Sequence, residues 1–246
     1  MTPIAPGAAS AHADMNASLD GQVILVTGGS SGIGRATAQV LARRGASVVI
    51  ADVDEPGGAD VVKRIRTVGG RASFMRMDVC DADQVAATLQ DIVARHGRLD
   101  GAFNNAGILE GTFLASADQD ETVWNCVIDV NLKGVWLCMK HEIPLMLTRG
   151  GGVIVNHASV AGLFGNRIVG AAYIASKHGV VGLTKALAIE YLRAPLRVNC
   201  VCPGGMDTPQ VHTIEAHVRG VFTKLGLELD EREHRRVLAV LAFLRR

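Results

Sequence analysis

The sequence predicts a doubly wound α/β domain built on a parallel sheet, and two patterns carry that prediction. Six short runs rich in Val and Ile alternate with longer amphipathic stretches along the chain. The runs are continuously apolar rather than alternating, which is typical of strands buried on both faces. Because strands and helices alternate, we expect the strands to be parallel, with helices on both sides of the sheet.

The six strand runs leave room for helices between them. They are VILVTG at 23–28, SVVIAD at 47–52, ASFMRMDV at 72–79, LDGAFNN at 99–105, GVIVNHAS at 152–159 and RVNCVCP at 197–203. Helical periodicity lies near 33–44, 55–68, 82–96, 119–147 and 171–193. Right-handed connections place the ligand crevice beyond the carboxyl ends of the strands, where the strand order switches. We therefore expect the functional residues at strand ends.

Length and composition indicate one globular domain. The chain has 246 residues, 48% hydrophobic and 20% charged, and contains no internal repeat or mid-chain linker. Residues 1–20 are rich in Ala, Pro and Ser and lack periodicity. They predict a disordered tail over 1–20, followed by one domain over 21–246. A net charge of +1 without a basic run argues against nucleic-acid binding and makes a small molecule the expected partner.

No targeting, membrane or metal-binding signal is visible. Residues 1–20 contain no Lys or Arg and no apolar signal-peptide core, and the longest apolar runs are only strand-sized. The five cysteines are not spaced as a zinc site or a disulfide framework. The eight histidines show no metal spacing, and His157, inside a strand run, is typical of a packing residue. We expect a cytoplasmic protein that binds no metal and no membrane.

A glycine-rich turn follows the first strand. Its sequence, Thr27-Gly28-Gly29-Ser30-Ser31-Gly32-Ile33-Gly34, has G-x-x-x-G-x-G spacing and leads into a helical pattern. Such glycines permit positive φ and close backbone approach to a pyrophosphate, and the helix N-terminus favours its negative charge. A plain strand-to-helix turn is the alternative, so the interpretation depends on the residues around the motif.

Asp52 supplies that context at the end of the second strand run. A carboxylate there can accept hydrogen bonds from ribose hydroxyls and would repel a 2′-phosphate. No Lys or Arg occurs at 51–54 to pair such a phosphate. NAD is therefore expected in preference to NADP, with a turn or helix-cap role for Asp52 as the alternative.

Tyr173 and Lys177 lie four residues apart in a stretch of helical periodicity, so their side chains share one face. A tyrosine acts as a base near neutrality only if its pKa falls by about three units, and a nearby ammonium acts in that direction. Ser159, at the end of the fifth strand run, is expected in the same crevice. Spacing alone leaves open an ordinary interface tyrosine beside a solvated lysine.

Together these motifs resemble the short-chain dehydrogenase/reductases, in their shorter, NAD-preferring form, over about residues 22–210. The resemblance implies a Rossmann-type fold and hydride transfer between NAD and a hydrophobic secondary alcohol or ketone. It implies that Tyr173 is the acid/base, that Ser159 positions the substrate oxygen, and that Lys177 lowers the tyrosine pKa and binds the nicotinamide ribose. Asn131, in VNLKG, would hold a helix bulge and a water of the proton relay.

The resemblance also implies the cofactor contacts. The implied residues form the glycine-rich loop, the ribose acceptor, the adenine contact, the sheet segment beside the cofactor, the catalytic pair and the nicotinamide clamp: Gly28, Ser30, Ser31, Gly32, Ile33, Gly34, Asp52, Asp78, Val79, Asn105, Ala106, Gly107, Tyr173, Lys177, Pro203, Gly204 and Thr208. Asn104, which begins the same segment, would stabilise the central sheet.

Two stretches bear on substrate and assembly. The runs at 141–147 and 173–183 resemble those of alicyclic-alcohol and hydroxysteroid dehydrogenases, and the substrate pocket is expected to be apolar, lined by Ile108, Leu109, Val160, Leu163, Phe164 and Met206. Beyond Thr208 the family's last strand is apparently missing, which would leave the 197–203 strand as a sheet edge. The amphipathic stretch 231–244 could cover that edge or dock on a second subunit, so we expect a homo-oligomer, a dimer or a tetramer.

Two other functions compete with an active dehydrogenase. A catalytically weak dinucleotide-binding or regulatory protein of the same fold is suggested by the apparently missing strand. Another Rossmann-type enzyme, such as a methyltransferase, would leave Tyr173 and Lys177 unexplained. Cofactor titration distinguishes the last of these, and turnover separates the other two.

Overall fold

The computed structural model describes residues 18–111, 114–165 and 169–204. The strands in chain order are β1 (Val23–Thr27), β2 (Ser47–Asp52), β3 (Arg71–Arg76), β4 (Gly101–Asn104), β5 (Gly152–His157) and β6 (Leu196–Val201). They form one parallel sheet in the order β3-β2-β1-β4-β5-β6. Each strand overlaps the run that predicts it, and the predicted α/β fold class is confirmed.

Six α-helices are found in the described ranges. They are α1 (Gly32–Arg43), α2 (Glu55–Thr67), α3 (Ala82–His96), α4 (Glu121–Ile128), α5 (Gly134–Leu147) and α6 (Ala171–Glu190). Aspartates cap three of them, because the side chains of Asp54, Asp81 and Asp120 accept hydrogen bonds from backbone N–H groups in the first turns of α2, α3 and α4. None of these helices is long and apolar enough to cross a membrane.

Alternate residues of β1 face opposite layers of helices. Val26 belongs to a core cluster that includes Val61 of α2. Leu25 belongs to the other cluster, which includes Leu89 of α3 and Met139 of α5. Because successive side chains of a strand point to opposite faces, this division shows a sheet covered on both sides, as the continuous apolar runs predict.

The helix predicted over 119–147 is divided into two. A π-helical turn, Asp129–Lys133, separates α4 from α5, and a short 3₁₀ turn, Ser116–Asp118, precedes α4. The turn holds Asn131 fully buried between the helices and the loop after β4. Apolar periodicity does not reveal such a break, because both flanking segments keep apolar faces. A π turn of this kind is frequent at functional sites.

The strand order reverses at β1, which pairs with β2 on one side and with β4 on the other. In open α/β sheets the crevice beyond the carboxyl ends of the strands at such a switch is the ligand site. Thr27 ends β1, Asp52 ends β2 and Asn104 ends β4. The topology therefore brings the predicted motifs together at one edge of the sheet.

The described residues include the last part of the predicted N-terminal tail but not residues 205–246. Residues 18–20, assigned to the tail, belong to the described fold: the Leu19 N–H donates to the Arg44 carbonyl at 2.8 Å, and its side chain packs on the core. This apolar anchor places the segment in the domain three residues earlier than expected. Residues 205–246 lie outside the described ranges, and with them Met206, Thr208, the segment that follows Thr208 and the stretch 231–244.

Candidate active site

The glycine-rich loop is packed against the segment that follows β4. Gly28 has a φ of +62°, and a Cβ added there would lie 2.7 Å from the Ala106 Cα. A Cβ on Gly34 would lie 2.2 Å from the Gly28 carbonyl oxygen. Both positions therefore require glycine, one for conformation and contact and the other for contact alone. Thr27 completes the joint, because its Oγ1 accepts hydrogen bonds from the Asn105 and Ala106 N–H groups at 3.0 and 3.1 Å.

The N-terminus of α1 points its backbone donors at this loop. Unlike α2, α3 and α4, α1 begins at Ser31 without a side-chain cap, and its first turn holds no acidic residue. An uncapped helix N-terminus leaves N–H groups available to an anion such as a pyrophosphate. The difference from its capped neighbours fits the predicted phosphate role of the loop.

Asp52 is held at the end of β2 by backbone donors. Its Oδ2 accepts from the Ser30 N–H at 2.9 Å, and its Oδ1 accepts from the Asp54 N–H at 3.1 Å. The buried Ser30 side chain donates to the Asp54 carbonyl at 3.1 Å, so the loop and the end of β2 are tied together. The carboxylate keeps a fixed position at the rim of the cleft.

A cleft of about 430 Å³ opens between these elements. Ten of the predicted cofactor residues line it: Gly28, Ser31, Gly32, Ile33, Asp52, Asp78, Val79, Asn105, Ala106 and Gly107. Ser30 and Gly34 are not among the lining residues: the Ser30 N–H bonds to Asp52, and Gly34 packs against the Gly28 carbonyl. The lining also includes residues that sequence reasoning did not assign to the cofactor, among them Cys80, Ile108, Cys126 and His157.

The segment after β4 links the sheet to the cleft. Asn104 is buried, and its Nδ2 donates to Glu142 Oε2 and to Asn156 Oδ1, each at 3.1 Å. The Asn105 Nδ2 donates to the carbonyls of Thr27 and Gly28, each at 3.0 Å. Asn104 therefore braces the central strands, and Asn105 holds the glycine-rich loop.

Asn131 fastens the next residues of that segment. Its Oδ1 accepts from the Ile108 N–H at 2.8 Å, and its Nδ2 donates to the Ile108 carbonyl at 2.9 Å. A longer contact of 3.3 Å joins Nδ2 to the Ser176 hydroxyl of α6. The π-helical turn thus places one amide where it satisfies both backbone groups of a cleft residue.

Lys177 carries a charge into a buried position on α6. The residue is only 3% exposed, and its Nζ donates to the His157 carbonyl at 2.8 Å. Nζ also lies 5.6 Å from the centre of the Tyr173 ring. Burial lowers the pKa of Lys177 to about 8. The predicted sharing of one helix face by Tyr173 and Lys177 is therefore seen.

That Lys177 lowers the pKa of Tyr173 stays a prediction, and burial acts in the opposite direction. Burial raises the pKa of Tyr173 above its usual value of 10.0, and the hydrogen bond with the Ser159 side chain only partly opposes that shift. The ammonium lies over the ring and is hydrogen-bonded to His157. Desolvation of the phenolate is the main cause of the raised pKa.

Ser159 stands at the end of β5 opposite Tyr173. Its Oγ accepts from the Ala161 N–H at 3.1 Å, which starts a short 3₁₀ turn, Val160–Gly162. The Val160 N–H donates to the Pro203 carbonyl at 2.9 Å, so the predicted nicotinamide clamp begins beside the serine. Phe164, expected in the substrate pocket, is 67% exposed at the same edge.

No group of His, Cys, Asp and Glu residues within the described ranges could hold a metal ion. His157 packs within the fold as expected, with its hydrogen-bonding capacity used by a neighbour. Its Nδ1 lies 2.8 Å from the Asn105 Oδ1, and its ring stacks on Phe103 at a centroid distance of 5.9 Å. Burial, together with Lys177, lowers its pKa to about 3, so the imidazole is neutral.

Known proteins of similar sequence point to one family. A family model described as short chain dehydrogenase matches residues 22–219. Cyclohexanol dehydrogenase from an Acinetobacter species is 41% identical over 201 residues, which cover 82% of this chain and 79% of that protein. The 3beta-hydroxysteroid dehydrogenase of Mediterraneibacter gnavus is 42% identical over 209 residues, which cover 85% of this chain and 75% of that protein.

Solved structures agree with the sequence relatives. Levodione reductase superposes with a TM-score of 0.79 and 36% identity, covering 84% of this chain and 80% of that one. A variant of actinorhodin polyketide ketoreductase, crystallised with NADPH, gives a TM-score of 0.78 and 37% identity, covering 87% of this chain and 79% of that one. The regulatory and methyltransferase alternatives are not favoured. The chain belongs to the short-chain dehydrogenase family and is an oxidoreductase that transfers hydride between a nicotinamide cofactor and a secondary alcohol or ketone.

Proposed function

We propose that this chain oxidises hydrophobic cyclic secondary alcohols and reduces the corresponding ketones, with NAD as its preferred cofactor. The observation that carries the proposal is the grouping of Ser159, Tyr173 and Lys177 at the carboxyl edge of the sheet. Lys177 reaches the end of the cleft formed by Gly107 and His157, because its Nζ bonds to the His157 carbonyl. A buried ammonium beside a buried tyrosine is costly unless the site uses it.

The cleft fits a nicotinamide dinucleotide. The Gly28–Gly34 contact leaves no room for a side chain where a pyrophosphate would approach, and the uncapped start of α1 offers N–H donors. When bound, the cofactor supplies the carbon that accepts or returns the hydride. Asn105 and Ala106 would flank it, as would Pro203 and Gly204 on the far side.

Asp52 supports the choice of NAD. Its carboxylate is held at the rim of the cleft, and the neighbouring positions 51–54 contain no cation. A 2′-phosphate placed there would meet the negative charges of Asp52 and Asp54. The relatives do not decide this question, since one structural neighbour was crystallised with NADPH.

Four residues each have a separate proposed part in proton transfer. Tyr173 would exchange the proton of the alcohol hydroxyl, while Ser159 holds the same oxygen through a hydrogen bond. Lys177 would place positive charge beside the oxygen as negative charge develops on it, and would bind the ribose of the cofactor. Asn131 would hold the loop at Ile108 through its paired hydrogen bonds.

The direction of the pKa shift bears on the direction of reaction. Because the pKa of Tyr173 is raised, the phenol is protonated at neutral pH and can donate to a ketone directly. Alcohol oxidation requires the phenolate, so it is expected to quicken as the pH rises above neutrality.

The substrate class rests on the apolar edge and on the relatives. Phe164 and Leu163 follow Ser159, and Ile108 lines the cleft. The relatives named above act on cyclohexanol and on a hydroxysteroid, both of which are alicyclic secondary alcohols.

The test is NADH formation by the purified chain across a panel of cyclohexanols, hydroxysteroids and open-chain secondary alcohols. We expect the highest kcat/KM with a cyclic alcohol, and a higher kcat/KM with NAD than with NADP. Turnover confined to open-chain or charged alcohols would contradict the substrate proposal. Equal or better use of NADP would contradict the cofactor proposal.

A further inference from the structure

His157 occupies the junction between the cofactor loop and the catalytic helix. It is the last residue of β5, it lines the cleft, and its ring rests on Phe103 of β4. Its side chain contacts Asn105, whereas its main chain contacts Lys177. One residue therefore touches both the segment that holds the glycine-rich loop and the lysine beside Tyr173.

The hydrogen bonds around Asn105 determine which imidazole nitrogen carries the proton. The Asn105 Nδ2 donates to two carbonyl oxygens, of Thr27 and Gly28, which can only accept. These two acceptors identify the amide nitrogen, so the amide atom that lies 2.8 Å from His157 is Oδ1, an acceptor. The His157 Nδ1 must therefore be the donor, and the neutral ring is the Nδ1–H tautomer.

The neutral state has a physical cause. Burial disfavours the charged imidazolium, and the ammonium of Lys177, contributed by α6, adds like-charge repulsion. Together they lower the pKa of His157 to about 3. The ring consequently keeps one donor and one acceptor throughout the neutral pH range.

The glycine-rich loop is packed closely against the Asn105 amide, so the loop has little room to adjust if the amide moves. A Cβ on Gly28 would lie only 3.0 Å from the Asn105 Nδ2, so loop and amide are in close contact. If Asn105 Oδ1 lost its donor, the amide could turn and its two bonds to the loop would be lost with it. The effect would reach the dinucleotide site without any direct contact between His157 and the phosphates.

We propose that His157 is a positioning residue of this enzyme, which orients Asn105 through its Nδ1–H and thereby sets the glycine-rich loop for dinucleotide binding. Its backbone carbonyl accepts a hydrogen bond from Lys177. His157 therefore contacts both the residue that holds the glycine-rich loop and the lysine to which we assign a catalytic role. The inference rests on the proposed function for the roles of the loop and of Lys177, but its hydrogen-bond pattern is independent of substrate.

The first test measures dinucleotide binding without turnover. The dissociation constant of NADH is titrated by fluorescence for the wild type, His157→Leu and His157→Asn, with His178→Leu as control. Loss of one buried hydrogen bond predicts that His157→Leu raises the constant about three- to ten-fold. Asn places an N–H donor near the former Nδ1 and should restore most of the affinity. His178 is exposed on α6 and bonds within its own helix, so its replacement should change nothing.

A double-mutant cycle checks that the effect passes through Asn105. In an Asn105→Ala background, His157→Leu should weaken NADH binding no further, because the amide that it orients is gone. Additive losses would overturn the proposal, as would an unchanged constant in His157→Leu itself.

The last test reads the tautomer directly and needs no cofactor. Nitrogen-15 NMR of the imidazoles, assigned by the signal missing from His157→Asn, should show an Nδ1–H tautomer for His157 that does not titrate between pH 8 and about pH 5. An Nε2–H tautomer, or titration near the usual value of 6.5, would overturn the proposal even if His157→Leu failed to fold. Failure of the proposed function would appear differently, as intact NADH binding without alcohol turnover.

Discussion

Tyr173 and Lys177 are both shifted toward their neutral forms by burial. The pKa of Tyr173 is raised, and that of Lys177 is lowered to about 8. Near neutral pH the tyrosine is therefore a proton donor beside a lysine that is still charged. Each residue gives up solvation on folding, and perturbed pKa values of this kind are concentrated at functional sites, in line with the proposed roles.

Replacing Tyr173 by Phe should remove turnover while leaving cofactor binding close to intact. Only the hydroxyl is lost, and a general acid/base contributes at least about a hundred-fold to rate. Lys177→Ala should reduce both turnover and NADH affinity, because the ammonium is assigned to both. Steady-state kinetics and NADH titration of the two variants check the contrast. Activity in Tyr173→Phe above about one hundredth of wild type would show that another group carries the proton.

The charge of Asp52 can be removed while one of its two backbone contacts is kept. Asp52→Asn retains an acceptor for the Ser30 N–H and removes the charge that would face a 2′-phosphate, but its amide nitrogen cannot accept from the Asp54 N–H. Asp52→Asn combined with Val53→Arg adds a phosphate partner at a position that is 55% exposed. We expect the double variant to shift the NADP/NAD ratio of kcat/KM by about ten-fold or more, the scale of one charged hydrogen bond. An unchanged ratio would show that Asp52 does not govern the choice.

The π-helical turn between α4 and α5 joins α6 to the segment that follows β4. Within it, Asn131 satisfies both backbone groups of Ile108 and reaches α6 through Ser176. Lys133, in the same turn, is half-exposed and pairs with Asp129 at 3.4 Å. The turn therefore offers one buried polar contact and one surface contact for direct comparison.

Asn131→Ala should destabilise the fold by about 2–6 kcal/mol, because two backbone groups of a partly buried residue lose their partners at ~1–3 kcal/mol each. The kcat/KM should fall as well, since Ile108 lines the cleft. Lys133→Ala should cost less than about 0.5 kcal/mol, as exposed ion pairs do. Urea unfolding compares the two. Similar losses in both variants would mean that the turn tolerates the loss of its buried amide.

Glu142 makes the stability of the whole molecule depend on pH. This fully buried residue of α5 accepts from Asn104 through Oε2, while its Oε1 and the Asn104 Oδ1 have no hydrogen-bond partner. Burial raises its pKa from 4.5 to about 8. A protonated carboxyl has an O–H to donate, and the two oxygens without a partner belong to the same two side chains. The pair is best satisfied when Glu142 is neutral.

Because the folded pKa is the higher one, the folded chain keeps a proton that the unfolded chain releases between pH 4.5 and about pH 8. Within that window Glu142 lowers the free energy of unfolding by about 1.4 kcal/mol for each pH unit of increase. His157 acts oppositely between pH 3 and 6.5, since its folded pKa is depressed. Glu142→Gln isolates the first effect, because Gln keeps an acceptor and a permanent N–H donor.

We therefore expect Glu142→Gln to be about as stable as wild type near pH 5. At pH 8.5 its free energy of unfolding should exceed that of wild type by about 2–5 kcal/mol. Glu142→Leu should be less stable than Gln at both values, because Asn104 loses its partner. Urea unfolding at the two pH values measures all three proteins. A stability gap between Gln and wild type that does not grow with pH would show that Glu142 is ionised in the folded state.

Much of the fold could be predicted because its signals are local. Continuous Val and Ile runs mark strands such as β2, whose observed bounds match the run at 47–52. The glycine-rich turn and the Tyr173–Lys177 spacing are likewise written within a few residues of one another. Periodicity does not predict the division of the 119–147 helix, whereas the family resemblance implies a helix bulge held by Asn131, where the π-helical turn lies; the contact of Asn131 with Ile108 joins two distant parts of the chain.

The sequence by itself determined the fold class, the strand-end positions of the motifs and the family resemblance, since a parallel sheet brings the carboxyl ends of its strands to one edge. Tertiary structure decided the electrostatics of the site. The tautomer of His157 depends on Asn105, 52 residues away, and burial by the surrounding groups raises the pKa of Tyr173. Desolvation depends on every group packed around a side chain, and those groups come from distant parts of the chain.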